Sequence, residues 1–334
     1  MSLYRATLQT LGATVLLALA LACSKKGNTD SSTTTATISG TVTYARVPLI
    51  KDAQGMPLGL ADEGVATNLQ SLPARSTAVR IYQQVTQTQP DGTTALAWVL
   101  AQSIVTDSTG GYSATVTKDR LTMVEVLSTF SGGNNTYVQL IAESQGINST
   151  TPAPNRLHYA QRKAVDGTAP ATTNVPSSML SGNTTLNFSI GLNDAWWLVN
   201  PSYKLSSGEA PLVTQAVLET SLPGRTPGFG TGSRILGIGD TVASFIVVYG
   251  SATPGATLDL HYWPGRSEPR GSYIDYGPYD PTHLPQAFDA SAGRYLFFGS
   301  LRGDSANDDA WDEGVIFPML ARNLLYAANV GRTF

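Results

Sequence analysis

Residues Thr37–Tyr44 read TISGTVTY. Ile38, Val42 and Tyr44 lie two or four positions apart, so an extended chain turns all three to one side and leaves Ser39, Thr41 and Thr43 on the other. That is a half-buried β-strand, and its period sets the pattern for the next hundred residues. STAVRIYQQV (76–85) repeats it through Val79, Ile81 and Val85. ALAWVLAQSIVTD (95–107), GYSATVT (111–117), TMVEVL (122–127) and TYVQLIAES (136–144) follow, separated by turn signals such as Asp91-Gly92 and Gly110-Gly111. Pro48 to Pro73, punctuated by Gly and Pro, reads as a long loop. Short strands at this spacing predict an antiparallel β-sandwich over 37–145.

The second half has a different rhythm. Residues 146–184 are rich in Ser, Thr, Pro and Asn and read as a linker or irregular segment. NTTLNFSIGL (183–192) is a strand with Leu186, Phe188 and Ile190 on one face. In SRILGIGDTVASFIVVYG (233–250), Ile235, Ile238, Val242, Phe245, Ile246 and Tyr249 fall at helical spacings, with Pro254-Gly255 expected to stop the helix. ATLDLHYW (256–263) and GRYLFFGS (293–300) are strands flanking a long loop, and a second helix starts from the acidic stretch Asp304 to Glu313. The expected fold is therefore a β-sandwich domain followed by an α+β domain over 185–334, β-rich overall with two main helices in the C-terminal half.

At 334 residues, 42% of them hydrophobic, the chain can bury a substantial core. Charged residues are only 13% and the net charge is -3, so no basic field exists for nucleic acid. No cofactor is expected. At the N-terminus, Arg5 precedes an apolar run, Leu11 to Ala22 (LGATVLLALALA), too short to span a bilayer comfortably, and the chain's single cysteine, Cys23, follows it. One cysteine excludes an internal disulfide. Ser24 to Ala36 is small and polar, a flexible tether.

Three resemblances extend this reading. Ala20-Leu21-Ala22-Cys23 resembles the lipobox of bacterial lipoproteins, which implies cleavage after residue 22, lipidation of Cys23, a tether over 23–36 and a membrane partner held through the N-terminal lipid. Ser24 after the cysteine resembles the outer-membrane sorting pattern, placing the protein in the cell envelope. The alternative is an ordinary secretory peptide or an uncleaved anchor. Next, ISGTV, AVRIY and TDSTGGYSATV (106–116) resemble the carboxypeptidase regulatory-like, or prealbumin-like, β-sandwich family, which implies a non-catalytic spacer or binding unit with Asp107 fixing a turn.

Finally, the order of elements in the second half is similar to a group of secreted bacterial zinc metallopeptidases whose helix opens D-x-[YW]-D-x-x-V-I-x-H-E-x-G-H. Asp309, Trp311, Asp312, Val315 and Ile316 match its lead-in, but Pro318, Met319 and Arg322 stand where the first His, the Glu and the second His belong. That chemistry needs two imidazoles one turn apart for zinc and a carboxylate to deprotonate water. Proline offers no ligand, methionine no base, and arginine a permanent positive charge. The third ligand of such a site comes from beyond the helix, and the sequence reaches Phe334 soon after Arg322; the three histidines, His158, His261 and His283, show no paired ligand spacing. No metal is expected. Without any peptidase ancestry, the acidic residues would cap a helix whose stripe is Ile316, Met319, Leu320 and Leu324, kinked at or beginning near Pro318.

The candidate recognition residues are Tyr273, Asp275, Tyr276 and Tyr279 in the loop GSYIDYGPYDP (271–281), and the pair Trp196-Trp197, which could stack a sugar ring or fill a core. The leading expectation is a non-catalytic envelope lipoprotein that binds an unidentified protein or glycan. The alternatives are a truncated zinc metallopeptidase or one with unusual ligands, and a carbohydrate-binding surface lipoprotein. The acidic stretch Asp304 to Asp312 could also hold Ca2+, although no EF-hand spacing is present.

Overall fold

A computed structural model of the chain describes residues 34–62, 64–88, 90–142, 157–168, 176–192, 194, 196–199, 213–214, 232–250, 257–267, 273–275, 295–300, 313, 316–318 and 320–321. The chain divides into two units, Met1–Thr34 and Thr35–Phe334. The second is strand-rich. In order it contains β1 (Thr35–Arg46), β2 (Leu49–Lys51), β3 (Pro57–Leu60), a 3-10 turn at Ala66–Asn68, β4 (Gln70–Pro73), β5 (Thr77–Thr88), β6 (Thr94–Val105), β7 (Gly111–Thr117), β8 (Leu121–Ser131) and β9 (Tyr137–Ala142). Then come β10 (Leu157–Ala164), β11 (Ser178–Met179), β12 (Thr184–Thr185), β13 (Phe188–Ile190), β14 (Trp197–Val199), β15 (Val213–Thr214), helix α1 (Arg234–Tyr249), β16 (Thr257–Ser267), β17 (Tyr273–Asp275) and β18 (Tyr295–Ser300). Helical positions 313, 316–318 and 320–321 belong to a second helix, α2.

The opening strand is the centre of a five-stranded sheet. One edge of β1 pairs antiparallel with β7 and then β4; the other pairs parallel with β12 and β13. Ile38, Val42 and Tyr44 are all buried, as the period-two pattern requires. A second sheet of eleven strands is built on β8, which pairs with β5 along one edge and with β11, β10 and β9 along the other. From β9 it continues in parallel through β16 to β18. Core-facing residues of both sheets and of α1 belong to one hydrophobic cluster, including Val42, Phe188, Val126, Phe130, Ile238 and Val242. Each fully buried aliphatic or aromatic side chain of this set contributes roughly 1.5–3 kcal/mol.

Several expectations are corrected by these pairings. The linker expected at 146–184 contains β10, which lies between β8 and β14 in the larger sheet. The loop expected over Pro48 to Pro73 contains the β2–β3 hairpin and β4. The boundary drawn between 37–145 and 185–334 is crossed by two parallel ladders, β1 with β13 and β9 with β16. Strands of both halves therefore share sheets.

Helix α1 is where the period-3.6 reading places it, but its environment differs. Every residue from Arg234 to Ala243 is buried, including Asp240 and Thr241, so the helix lies inside the core rather than on it by one stripe. Tyr249, assigned to that stripe, is 67% exposed. The helix ends at Gly250, before Pro254: the glycine adopts φ 86 and returns its N–H to the Ile246 carbonyl at 2.8 Å. In α2, Ile316 and Leu320 are buried while Phe317 and Pro318 face solvent. Because Glu313 is already helical, the helix does not begin at Pro318.

Candidate functional site

An open cleft of about 750 Å3 lies beside the first sheet, lined by Ser39, Thr41, Asp107, Ser113 and Asn187, with Ile104 and Val105 at the end of β6. The alternation that buries Ile38 and Val42 turns Ser39 and Thr41 the other way. Asn187, at the join of β12 and β13, accepts from the Thr41 N–H at 2.9 Å and its hydroxyl at 3.1 Å. Asp107 organises the β6–β7 turn: its Oδ1 accepts from the Thr109 N–H, the Thr109 hydroxyl and the Gly111 N–H at 2.7–2.9 Å. The Thr109 hydroxyl is the main reason that the Asp107 carboxyl is held below the ordinary carboxylate range. Beneath the cleft, the Tyr112 hydroxyl donates to the Leu186 carbonyl, and burial raises its pKa. Hydroxyl, amide and carboxylate oxygens suit hydrogen-bonded binding. Among the described residues no histidine or cysteine lines the cleft.

Two charged clusters lie elsewhere. At the first, Arg75 grips Asp240 of α1 through two hydrogen bonds at 2.9 and 2.7 Å, and the Tyr44 hydroxyl donates to the same carboxylate at 3.2 Å. Asp240 is 3% exposed, so without these donors its charge would be very costly. The bond to Asp240 raises the Arg75 pKa further, while burial, followed by the Asp240 charge, raises that of Tyr44. Arg46 and Glu313 form a further ion pair that joins β1 to α2. In the second cluster, register places Arg80 of β5, Glu125 of β8 and Arg162 of β10 in one row across the larger sheet. Arg162 donates to Glu125 at 2.7 Å, and both are almost wholly buried. Tyr82 approaches the same carboxylate at 3.5 Å; burial first, and the Glu125 charge second, push its pKa up to about 12. Both clusters join distant elements and expose no reactive centre, as expected of structural ion pairs.

The sequence-selected residues are not brought together. Trp196 is 1% exposed, donates its indole N–H to the Gly232 carbonyl at 2.7 Å and meets Tyr159 edge-on at 6.4 Å. It is a core residue, which corrects its candidacy as a sugar platform. Trp197 is half-buried and packs against Leu127 and Ala160. Tyr273 and Asp275 are the ends of β17, paired with β18, so part of the expected recognition loop is a strand. Tyr276, Tyr279, Met319, Arg322, Cys23 and the acidic residues from Asp304 to Asp312 lie outside the described residues. His158 is buried beside the Thr129 hydroxyl at 3.5 Å, and His261 is in β16. Among the described residues no three His, Cys, Asp or Glu side chains gather as metal ligands, and no helix is long and apolar enough to cross a membrane.

No family model matches the chain, and neither does any curated protein. Among solved structures it aligns with a 9R-lipoxygenase from Cyanothece PCC8801 at 12% identity, over 72% of this chain and 27% of that one, with a TM-score of 0.19. A likeness that small carries no argument about fold or activity.

Proposed function

We propose that the protein is a non-catalytic lipoprotein of the cell envelope, anchored through Cys23 in the outer membrane, whose folded body acts as a binding or structural module. On this reading the first strands form a regulatory-like β-sandwich, and the C-terminal part is a metal-free relative of the zinc peptidases. The observation that carries it is the pattern on α2: Pro318, at the position of the first zinc-binding histidine, faces solvent, while Ile316 and Leu320 fill the core. A helix oriented this way serves packing. Among the described residues of the helix, it is the apolar positions and not the ligand position that enter the core. The Leu11 to Ala22 run before a lone Cys23 supports the anchor, since each buried CH2 of an attached lipid adds about 0.8 kcal/mol of membrane affinity.

Two arms of one experiment test the two halves of the proposal. Metabolic labelling with a radioactive fatty acid should mark the wild-type chain, and Cys23→Ala should lose the label and leave the membrane fraction; equal labelling of both would reject the anchor. In the second arm, the detergent-purified full chain should hold no stoichiometric zinc by mass spectrometry and keep its Tm in EDTA. Bound zinc together with an EDTA-sensitive melt would reinstate the peptidase.

A further inference from the structure

Strand β6 forms an edge of the larger sheet: it pairs with β5 over its full length and, among the described residues, with no other strand. Its twelve residues, TALAWVLAQSIV, contain no charge and no proline. Edge strands of soluble proteins are normally blunted by lysine, proline, shortness or a cover, because their free N–H and C=O groups recruit other strands. Among the described residues the one such feature is a bulge at Ala101, where Ile81 pairs with Gln102 and Tyr82 with Leu100. Before the bulge, Leu96, Trp98 and Leu100 alternate onto one side of the sheet. Leu96 is 57% and Leu100 49% exposed. A long, neutral, apolar edge that no described strand covers is a surface for strand addition.

We propose that β6 pairs antiparallel with β6 of a second copy of the chain, about a two-fold axis through Trp98, so that the two large sheets become continuous. A two-fold contact needs a self-complementary patch, and β6 is one. With Trp98 opposite its own counterpart, Leu96 meets Leu100 and Ala97 meets Val99, so every pair in the segment is apolar. Cross-strand aromatic and aliphatic pairs of this kind are the stabilising units of a sheet. The bulge at Ala101 lies outside this segment in both copies and leaves its register intact.

Charge also selects a second copy. An edge without charge gains nothing from a charged partner strand, and β6 is itself a neutral strand of matching length. Along the neighbouring strand β5, Tyr82, Gln84 and Thr86 are neutral, and the nearest charge, Arg80, lies opposite Ser103. The two-fold axis puts the two copies of Arg80 at opposite ends of the contact, about 34 Å apart at ~3.4 Å per residue. That is several times the screening length of about 8 Å, so they do not repel.

Native mass spectrometry of the detergent-purified full chain tests the pairing, and any attached lipid is read from the same spectra, so failure of the anchor is seen separately. The wild type should carry the mass of two chains through the micromolar range. Leu96→Lys/Leu100→Lys and Leu96→Glu/Leu100→Glu, which set like charges opposite each other twice, should each fall to one chain. An equimolar mixture of the two variants should return to two chains with a heterodimer mass, which also shows that both are folded. The proposal is overturned by a wild type at one chain mass, which leaves the edge to a strand of another protein, by charged variants that stay paired, or by a mixture that does not pair.

Discussion

Glu125→Leu should destabilise the fold by about 3–5 kcal/mol, the usual cost of removing one partner from a buried ion pair. Glu125 is 1% and Arg162 3% exposed, so the guanidinium that loses its carboxylate has no ready route to water. The row makes the loss worse. Arg80 lies across from Glu125 on the other side, and its Nε is already buried without a hydrogen-bond partner. Taking the carboxylate away leaves two cations flanking a leucine. Urea unfolding should show a lower midpoint with an unchanged slope, the mark of lost stability rather than of an altered denatured state. The double variant Glu125→Leu/Arg162→Leu should recover most of the loss, since a buried pair exchanged for apolar residues of similar size is often neutral or better. A single variant within about 1 kcal/mol of wild type would show that Arg162 does not depend on Glu125 for its charge to be tolerated where it lies.

The same row explains why β10 cannot be read from its residues. LHYAQRKA has no clear apolar alternation, because one of its faces carries Arg162, and the partner that makes that charge tolerable is 37 residues away on β8. Helix α1 is half legible for a related reason. Its period announces a helix, but Asp240 mimics a solvent-facing residue until Arg75 and Tyr44, 165 and 196 residues earlier in the chain, are brought against it. Local pattern reports periodicity; it does not report which polar residue has a distant donor. Strands β1, β5 and β7 are legible because each has one apolar face and one polar face. The cleft is legible only at Asp107, whose turn chemistry is local. Asn187 reaches the Thr41 N–H from 146 positions away, and nothing in NTTLNFSIGL announces it. The aromatic residues that drew notice as recognition sites did so by type alone, and for Trp196 burial was the stronger pull, with its N–H satisfied by the Gly232 carbonyl.

Gly239→Ala sets two effects of opposite sign against each other, and packing should win. In a helix interior, alanine in place of glycine is normally worth about 1 kcal/mol of added stability. Here a Cβ at position 239 would lie 1.9 Å from Phe130 Cε2 and 2.1 Å from Cζ, far inside contact distance. Phe130 has no exposed surface and belongs to the central cluster, so its ring has no open space to enter. Overpacking of this kind costs about 1–3 kcal/mol and occasionally more, and a separation of only 1.9 Å between the added methyl and the ring belongs at the top of that range. A net loss of about 2 kcal/mol should lower Tm by several degrees. Phe130→Leu by itself also destabilises, by opening a cavity, but the two changes compensate: the methyl group added at 239 occupies part of the space that the ring vacates. The double variant should therefore be more stable than the sum of the singles predicts, with a coupling of about 1–3 kcal/mol. Strict additivity would mean that α1 does not seat its glycine on Phe130, and the close approach that lets the buried part of the helix lie against β8 would have to be made elsewhere along it.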